Sequence, residues 1–518
     1  MQLERRRFYS PNYGNSRQIG RAIMIGLVTG LVVSFFRLSI QWGLTGVQTA
    51  FGYFHHHPWG LLPWTVGSII LALLLGYLTQ HYPNIKGSGI PQVEGQLMGQ
   101  FEEAWWPVLW RKFFGGILSI GSGLFLGREG PSIQLGATVG QGIAEHGQVT
   151  PVERRVGIAS GAAAGLSAAF NAPIASSMFI LEEVYHNFSP LVWLSVFISA
   201  LCANLVSMQF FGLKPDLNVP HESVFPLAQY WQLVVLGLLL GLLGRLYQLV
   251  ILNLGSWTRR LKWLKPAWYP VIPFVLVIPI AWLWPQTLGG GNELIVGLAQ
   301  MQPGLLWLVW LFVLRFVFSM LSYASELPGG IFLPILTLGA VFGAVYSAGM
   351  AQLGLLPLHY LPNYVIYAMA GYFACISKAP FTAILLITEM VGTMAHLMPL
   401  AVVAIIAYLV DDLLGGRPVY YAMFENFIHQ RPHAKLRGLT QMTTTIFAGA
   451  QLDGMAIKDF AWPVGSLVLA VYRGEDQLVP RGDTKLQVGD TLVIQLTGAQ
   501  HLQEQAQINA AAHQSARK

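Results

Sequence analysis

Apolar runs long enough to cross a bilayer recur along most of this 518-residue chain. A membrane span needs about 17–25 predominantly apolar residues. GLLPWTVGSIILALLLGYL (60–78), PLVWLSVFISALCANLVSM (190–208) and WQLVVLGLLLGLLGRLYQLVILNL (231–254) each supply one. Charge is correspondingly scarce: 10% of the residues are Asp, Glu, Lys or Arg, against roughly 25% in a soluble domain. Other apolar stretches are interrupted by isolated Glu or Arg or by Gly and Pro, which predicts helices that stop inside the membrane. The pattern is that of an all-α polytopic membrane protein.

The charges that remain read as an orientation signal. Arg5, Arg6 and Arg7 precede the first span, and Arg259, Arg260, Lys262 and Lys265 crowd one loop. Basic loops stay in the cytoplasm, so both termini are expected there, and the net charge of +6 needs no nucleic-acid partner. The opening MQLERRRFYS is polar and basic, and the apolar run after it has no small-residue cleavage pattern. The only cysteines, Cys202 and Cys375, are far apart within apolar segments, which excludes a disulfide scaffold or a thiolate metal site. His55, His56 and His57 are adjacent, a spacing that cannot easily put all three on one ion; they read as a solvated loop, and no metal or cofactor is expected.

Sliding the chain against itself reveals a repeat. Residues 111–143 align on 314–346 without gaps at an offset of 203, matching Lys112 with Arg315, Ser119 with Ser322, Pro131 with Pro334, and Leu135-Gly136-Ala137 with Leu338-Gly339-Ala340. Further on the offset becomes 207, and Ala172-Pro173 and Glu182 match Ala379-Pro380 and Glu389. Internal symmetry with Gly/Pro-interrupted spans at matching positions marks transporters that hold substrate where broken helices of two repeats meet.

Three strings mark such breaks: GSGIP (87–91), GREGP (127–131) and GGIFLP (329–334). Each lets the backbone leave one helix and begin another. Free N–H groups at membrane depth are tolerated only where protein or a hydrated cavity satisfies them. A helix N-terminus carries about half a positive charge with unpaired donors, which suits an anion. The alternative reading of one such string is a tight helix crossing; three together favour an anion site that needs no lysine.

In order and spacing, these strings resemble the signature of the CLC chloride channels and transporters. The resemblance continues through SGAAAGLSAAFNAPIASSMFILEE (160–183), GGGNELI (289–295) and GGRPVY (415–420), and covers roughly 20–430. It implies a homodimer in the plasma (inner) membrane, each subunit with its own pore between two inverted halves, and transport rather than enzymatic chemistry. It assigns Ser88, Tyr420 and the backbone N–H groups of Ile331 and Phe332 to the bound anion; the adjacent Tyr421 is a rival for the tyrosine position. Neutral donors of this kind replace hydration without trapping the ion.

The same resemblance makes Glu129 the gate, occupying an anion position when ionised and swinging away when protonated. A buried Arg128–Glu129 ion pair is the structural alternative. Glu183 is then the internal proton acceptor, with Glu182 the structural member of the pair. An acid at 183 favours exchange of chloride against protons over a passive channel. Fluoride-exporting relatives replace GSGIP and the tyrosine, and plant-type nitrate exchangers carry proline at the Ser88 position, so chloride is the expected substrate, with bromide and nitrate tolerated.

From about Arg431 the composition changes. SLVLAVYR (466–473) and DTLVIQL (490–496), separated by RGD and VGD turns, predict a small α+β soluble domain. It resembles the RCK-C (TrkA-C) modules of potassium-transport regulators, which dimerise and in some cases bind a nucleotide or cyclic dinucleotide. The string itself specifies no ligand and leaves a purely structural module as the alternative. A cation-transport subunit is the reading this module would suggest alone, but no TVGYG-like filter accompanies it. The expected organisation is a cytoplasmic arm (1–19), a membrane domain (20–432, halves roughly 20–224 and 225–432), the soluble domain (433–498) and a poorly ordered polar tail (499–518).

Overall fold

The computed structural model describes residues 13–429, 439–497 and 501–513, apart from 101, 148, 187, 214, 218, 220–224, 261–264, 301–302, 356, 448 and 474–475. Arg5–Arg7, Lys262 and the linker RPHAKLRG (431–438), all used in the sequence reading, lie outside the described residues. The described residues form two compact units, one within Met1–Glu94 and Glu103–Phe427, the other within Gly95–Glu102 and Ile428–Lys518.

The first unit is helical. Among the described residues seven helices are long and apolar enough to cross a membrane: Ser16–Phe54, Pro58–His81, Val192–Phe211, Leu227–Arg260, Pro266–Leu283, Leu305–Ala324 and Phe332–Gln352. The first helix starts at Tyr13, inside the stretch 1–19 expected to be a cytoplasmic arm. Between the spans lie buried helices, several of them too short to cross alone, such as Ile90–Leu97, Pro173–Phe179 and Pro380–Val391. Each of the last two opens on a proline, which cannot continue a preceding helix but suits a first turn.

Close packing in this unit rests on small residues. A Cβ at Gly136 or Gly140 would collide with the backbone of Gly161 or Gly157, so the Glu129–His146 and Pro151–Phe170 helices touch main chain to main chain. The repeat mates Gly339 and Gly343 press in the same way on Ala368 and Tyr364 of the Leu361–Ser377 helix. In lipid, where apolar burial contributes little, such approach is what holds helices together.

The second unit contains a four-stranded antiparallel sheet of order β1-β4-β2-β3. Its strands are β1 (Leu439–Thr445), β2 (Ser466–Arg473), β3 (Asp476–Leu478) and β4 (Thr491–Thr497). Asp490 closes the VGD turn. Burial alone raises its carboxyl, but two hydrogen bonds from Arg473 and one from the Gln487 N–H outweigh that and hold it below the usual carboxylate range. The RGD string is a turn as well, the Arg481 and Thr484 backbones bonded to each other.

Residues 501–513 correct the expectation of an ill-ordered tail. They form the helix His501–His513, whose Ile508, Ala511 and Ala512 enter the core with Leu452, Leu492 and Leu496. Those three lie at i, i+3 and i+4, so a short apolar stripe is present in a segment whose overall composition is polar.

Candidate ion pathway

The GREGP and GGIFLP loops meet as one antiparallel bridge. Gly127 N–H donates to Gly330 C=O and Gly330 N–H to Gly127 C=O, both at 2.7 Å. The approach is close: a Cβ on Gly330 would stand 3.2 Å from Gly130 N, tighter than an ordinary contact. Two residues beyond the bridge each loop becomes a helix, Glu129–His146 in the first repeat and Phe332–Gln352 in the second. Neither start has a side-chain cap, so two uncapped N-termini lie two residues beyond the bridge that joins their loops.

The third break is held by a buried cation. Lys112, wholly inaccessible, donates to Ile85 C=O at 3.0 Å and Gly87 C=O at 2.7 Å. Its ammonium therefore satisfies loop carbonyls. Gly89, with φ +93°, then turns the chain into the Ile90–Leu97 helix. Arg315, the repeat mate of Lys112, does the same for the second half, donating to Thr287, Gly289 and Gly290 carbonyls at 2.8, 3.1 and 2.6 Å. The sequence alignment paired these two cations without revealing what they hold.

Ser88 is 1% exposed, and its Oγ has no hydrogen-bond partner. It lies against Gly130, where a Cβ would collide with that oxygen. Glu129 is the first residue of its helix and fully buried, with neither carboxylate oxygen hydrogen-bonded. Its Oε2 and the N–H of Leu333 both crowd the face of Gly127, so the carboxylate sits beside the opposing helix start. Arg128 Nε is 3.8 Å from Glu129 Oε1, a loose ion pair.

Tyr420 is buried with an unpartnered hydroxyl, whereas Tyr421 is partly exposed and its ring rests on Phe424. The Phe179 ring bridges the site, 5.9 Å from Tyr420 and 5.4 Å from Phe332 between centroids. Ile331 caps the Phe332–Gln352 helix and Phe332 opens it. Ser88, Glu129, Ile331 and Phe332 thus converge from both repeats, and Tyr420 is within electrostatic range of Glu129 and Glu183.

The Glu182–Glu183 pair divides cleanly. Glu182 accepts from the Thr382 N–H at 2.9 Å and the Thr382 hydroxyl at 2.6 Å, capping the Pro380–Val391 helix. Glu183 lies in a π-helical turn, Ile180–Val184, 5% exposed and with an unbonded Oε1. Near it stands a carboxylate the sequence reading passed over: Glu94, fully buried, with both oxygens unbonded. An acid one helical turn after the GSGIP break was the available signal.

The profile of the family described as Voltage gated chloride channel matches residues 71–412, and that of the TrkA-C domain matches 445–503. The chain belongs to the voltage gated chloride channel family. It is a multi-pass membrane protein. It is 36% identical over 413 residues to the H(+)/Cl(-) exchange transporter ClcA of Vibrio parahaemolyticus serotype O3:K6 (strain RIMD 2210633), covering 77% of this chain and 87% of the relative. The transporter of the same name from Yersinia pestis is 32% identical over 437 residues, covering 81% and 90%. Among solved structures, that of a slow cyanobacterial Cl-/H+ antiporter superposes with a TM-score of 0.76 at 28% identity, over 80% of this chain and 99% of that one. The names of these relatives describe transporters.

Proposed function

We propose that this protein exchanges chloride for protons across the membrane, with Glu129 as the shared element. The observation that carries the reading is the Glu129 carboxylate: buried, unbonded, and lying where two uncapped helix starts meet beside the Ser88 hydroxyl. An ionisable side chain in a membrane costs about 2.5–3.5 kcal/mol on insertion scales and is functional by default. As an anion it competes with chloride for the same donors; protonated, it leaves them to the ion. The chloride ligands are the Ser88 and Tyr420 hydroxyls and the N–H groups of Ile331 and Phe332. Glu183 takes up the proton on the inner side. The names of the ClcA relatives support the same pairing of ions.

Both termini face the cytoplasm and the membrane is the plasma membrane, as the basic loops suggest. The protein works as a homodimer with a complete pathway in each subunit. The membrane domain spans 20–432, and the TrkA-C-like domain regulates it through a nucleotide or cyclic dinucleotide. Truncation after Arg431 is expected to leave a dimer that still moves chloride; light scattering with flux checks it, and an inactive folded monomer would assign assembly to the soluble domain.

The decisive experiment uses the full chain in vesicles, with an outward chloride gradient and a pH electrode. Chloride efflux that drives protons uphill supports exchange. Chloride efflux without proton movement makes the protein a channel, and no chloride efflux overturns the reading.

A further inference from the structure

Besides the Gly127–Gly330 bridge, two equivalent junctions join the repeats, and their side chains differ. At the first, Gly289 N–H donates to Gly123 C=O at 3.2 Å. At the second, Gly87 N–H donates to Glu326 C=O at 3.4 Å, and Gly329 N–H donates to Gly87 C=O at 3.1 Å. The buried cations fix the correspondence: Lys112 holds Ile85 and Gly87, as Arg315 holds Thr287 and Gly289. Leu288 is therefore the mate of Lys86, and the offset of 203 makes Gly123 the mate of Glu326. Leu288 rests on Gly123, where a Cβ would stand 3.3 Å from its side chain. Lys86 and Glu326 instead form an ion pair.

Glu326 has φ +60°, in the left-handed region that glycine occupies without strain. Its mate Gly123, at φ +95°, is the relaxed choice at the equivalent turn. A glutamate kept there bears a backbone cost, and such a cost is characteristic of positions with a functional use. Bulk stability is not that use: Lys86 is 23% and Glu326 33% exposed, and ion pairs in contact with water add little. The neighbours are more telling. Lys86 directly precedes Gly87-Ser88, and Glu326 precedes the string that contains Ile331 and Phe332. Tyr323 places its hydroxyl 3.1 Å from where a Cβ on Gly87 would be, and donates to Met423 Sδ at 3.5 Å on the helix that carries Tyr420. Residues 323–326 thus border every element proposed to offer chloride a donor. In the orientation given above, the spans Pro58–His81 and Leu305–Ala324 both end on the cytoplasmic side, which puts the pair at the inner end of the pathway.

We propose that Lys86 and Glu326 are positioning residues for the anion: their ion pair fixes the Ser88 loop against the loop leading to Ile331 and Phe332, and so sets the spacing between donors from the two repeats. The inference rests on the chloride-transport reading. Binding groups must be held to within about 0.5 Å of their working geometry, and an ion pair between the two loops does that where Leu288 and Gly123 make only an apolar contact. Both charges matter alike, because the tie is lost whichever partner is removed. A simple field effect would behave differently, since near an anion a lysine attracts and a glutamate repels.

The test is titration calorimetry of chloride and nitrate on the full-length protein in detergent, with thermal unfolding beside it. Lys86→Gln and Glu326→Gln are each expected to weaken chloride binding at least threefold and to narrow the chloride-to-nitrate ratio. The exchanged pair, Lys86→Glu with Glu326→Lys, is expected to recover both to within twofold. Glu326→Gly is expected to weaken chloride binding likewise while melting no lower than the unaltered protein, since it relieves the backbone and removes only the pair. Weaker binding in Lys86→Gln with tighter binding in Glu326→Gln overturns the proposal in favour of a simple charge effect. Unchanged chloride binding in both overturns it too, and the pair is then a structural contact alone. An exchanged pair as weak as the single variants also overturns it. If the unaltered protein binds no chloride, the transport reading itself fails, and this inference with it.

Discussion

The two repeats share their scaffolding and differ in their chemistry. Lys112 and Arg315 hold equivalent loop carbonyls. Asn171 and Lys378, at φ 55° and 61°, end equivalent helices in the left-handed region. Ser119 donates to the Pro328 carbonyl, and its mate Ser322 accepts from Phe125 N–H, the mate of that proline. At the positions proposed to move ions the correspondence stops. Glu129 falls opposite Phe332, Arg128 opposite Ile331, and Glu183 opposite Met390. Duplicated polar residues satisfy backbone in both halves, while the unduplicated carboxylates keep oxygens with no hydrogen bond: both of Glu129 and Oε1 of Glu183. A buried polar group that is unbonded and has an apolar mate is a candidate for function; one that is bonded and duplicated belongs to the fold.

Glu129 offers the strongest way to break that distinction. Glu129→Gln is expected to abolish proton coupling completely while chloride flux persists or rises, since a neutral amide neither carries the proton nor competes as an anion. Paired chloride and proton efflux from vesicles measures it. Proton pumping that survives the change would make the asymmetry between Glu129 and Phe332 irrelevant to transport.

Glu183 sharpens the comparison within one turn of chain. Glu183→Gln is expected to stop proton movement and leave calorimetric chloride binding within about twofold, because the proposed anion donors are elsewhere. If Glu182→Gln has that effect instead, bonding state does not separate functional from structural acids.

Much of this site was legible in the sequence because its elements are local. Gly and Pro at membrane depth mark broken helices, and the resemblance carried by the strings that contain them assigned Ser88, Glu129, Ile331 and Phe332. What was not legible depends on contacts between distant segments. Nothing near Lys86 or Glu326 in the chain indicates that they meet, since 240 residues separate them. Glu94 was passed over because the resemblance assigned no role there. The helix His501–His513 was hidden by its polar composition: three small or apolar positions suffice to anchor it against the sheet.

Tyr420 carries a smaller effect. Tyr420→Ala is expected to weaken chloride binding roughly tenfold or more, the result of losing one hydrogen bond to a charged partner worth about 1.5–3 kcal/mol. Ser88→Pro, which removes the other hydroxyl, is expected to shift preference toward nitrate. Titration calorimetry with both anions tests the pair, and an unchanged chloride-to-nitrate ratio in Ser88→Pro would remove that hydroxyl from the selectivity argument.

The smallest effect on transport comes from the best-matched pair of all. Glu182 accepts from Thr382 at the start of the Pro380–Val391 helix, and its mate Glu389 accepts from the N–H groups of Ile174 and Ala175 at the start of Pro173–Phe179, at 3.1 and 2.7 Å. Ala175 and Thr382 are themselves related by the same offset, so each acid caps the helix of the opposite repeat. A carboxylate there satisfies N–H groups that have no partner in their own helix and complements the positive end of the dipole. Glu182→Ala and Glu389→Ala should therefore destabilise the membrane domain by similar amounts, about 1.5–3 kcal/mol each, without uncoupling chloride from protons. Because both caps join the same two helices, the second holds the contact when the first is lost, and the double variant should lose more than the sum of the single losses. Thermal unfolding in detergent of the two single variants and the double one measures this. A neutral Glu389→Ala beside a costly Glu182→Ala would show that one half alone carries the joint, and that sequence symmetry between the repeats is not symmetry of load.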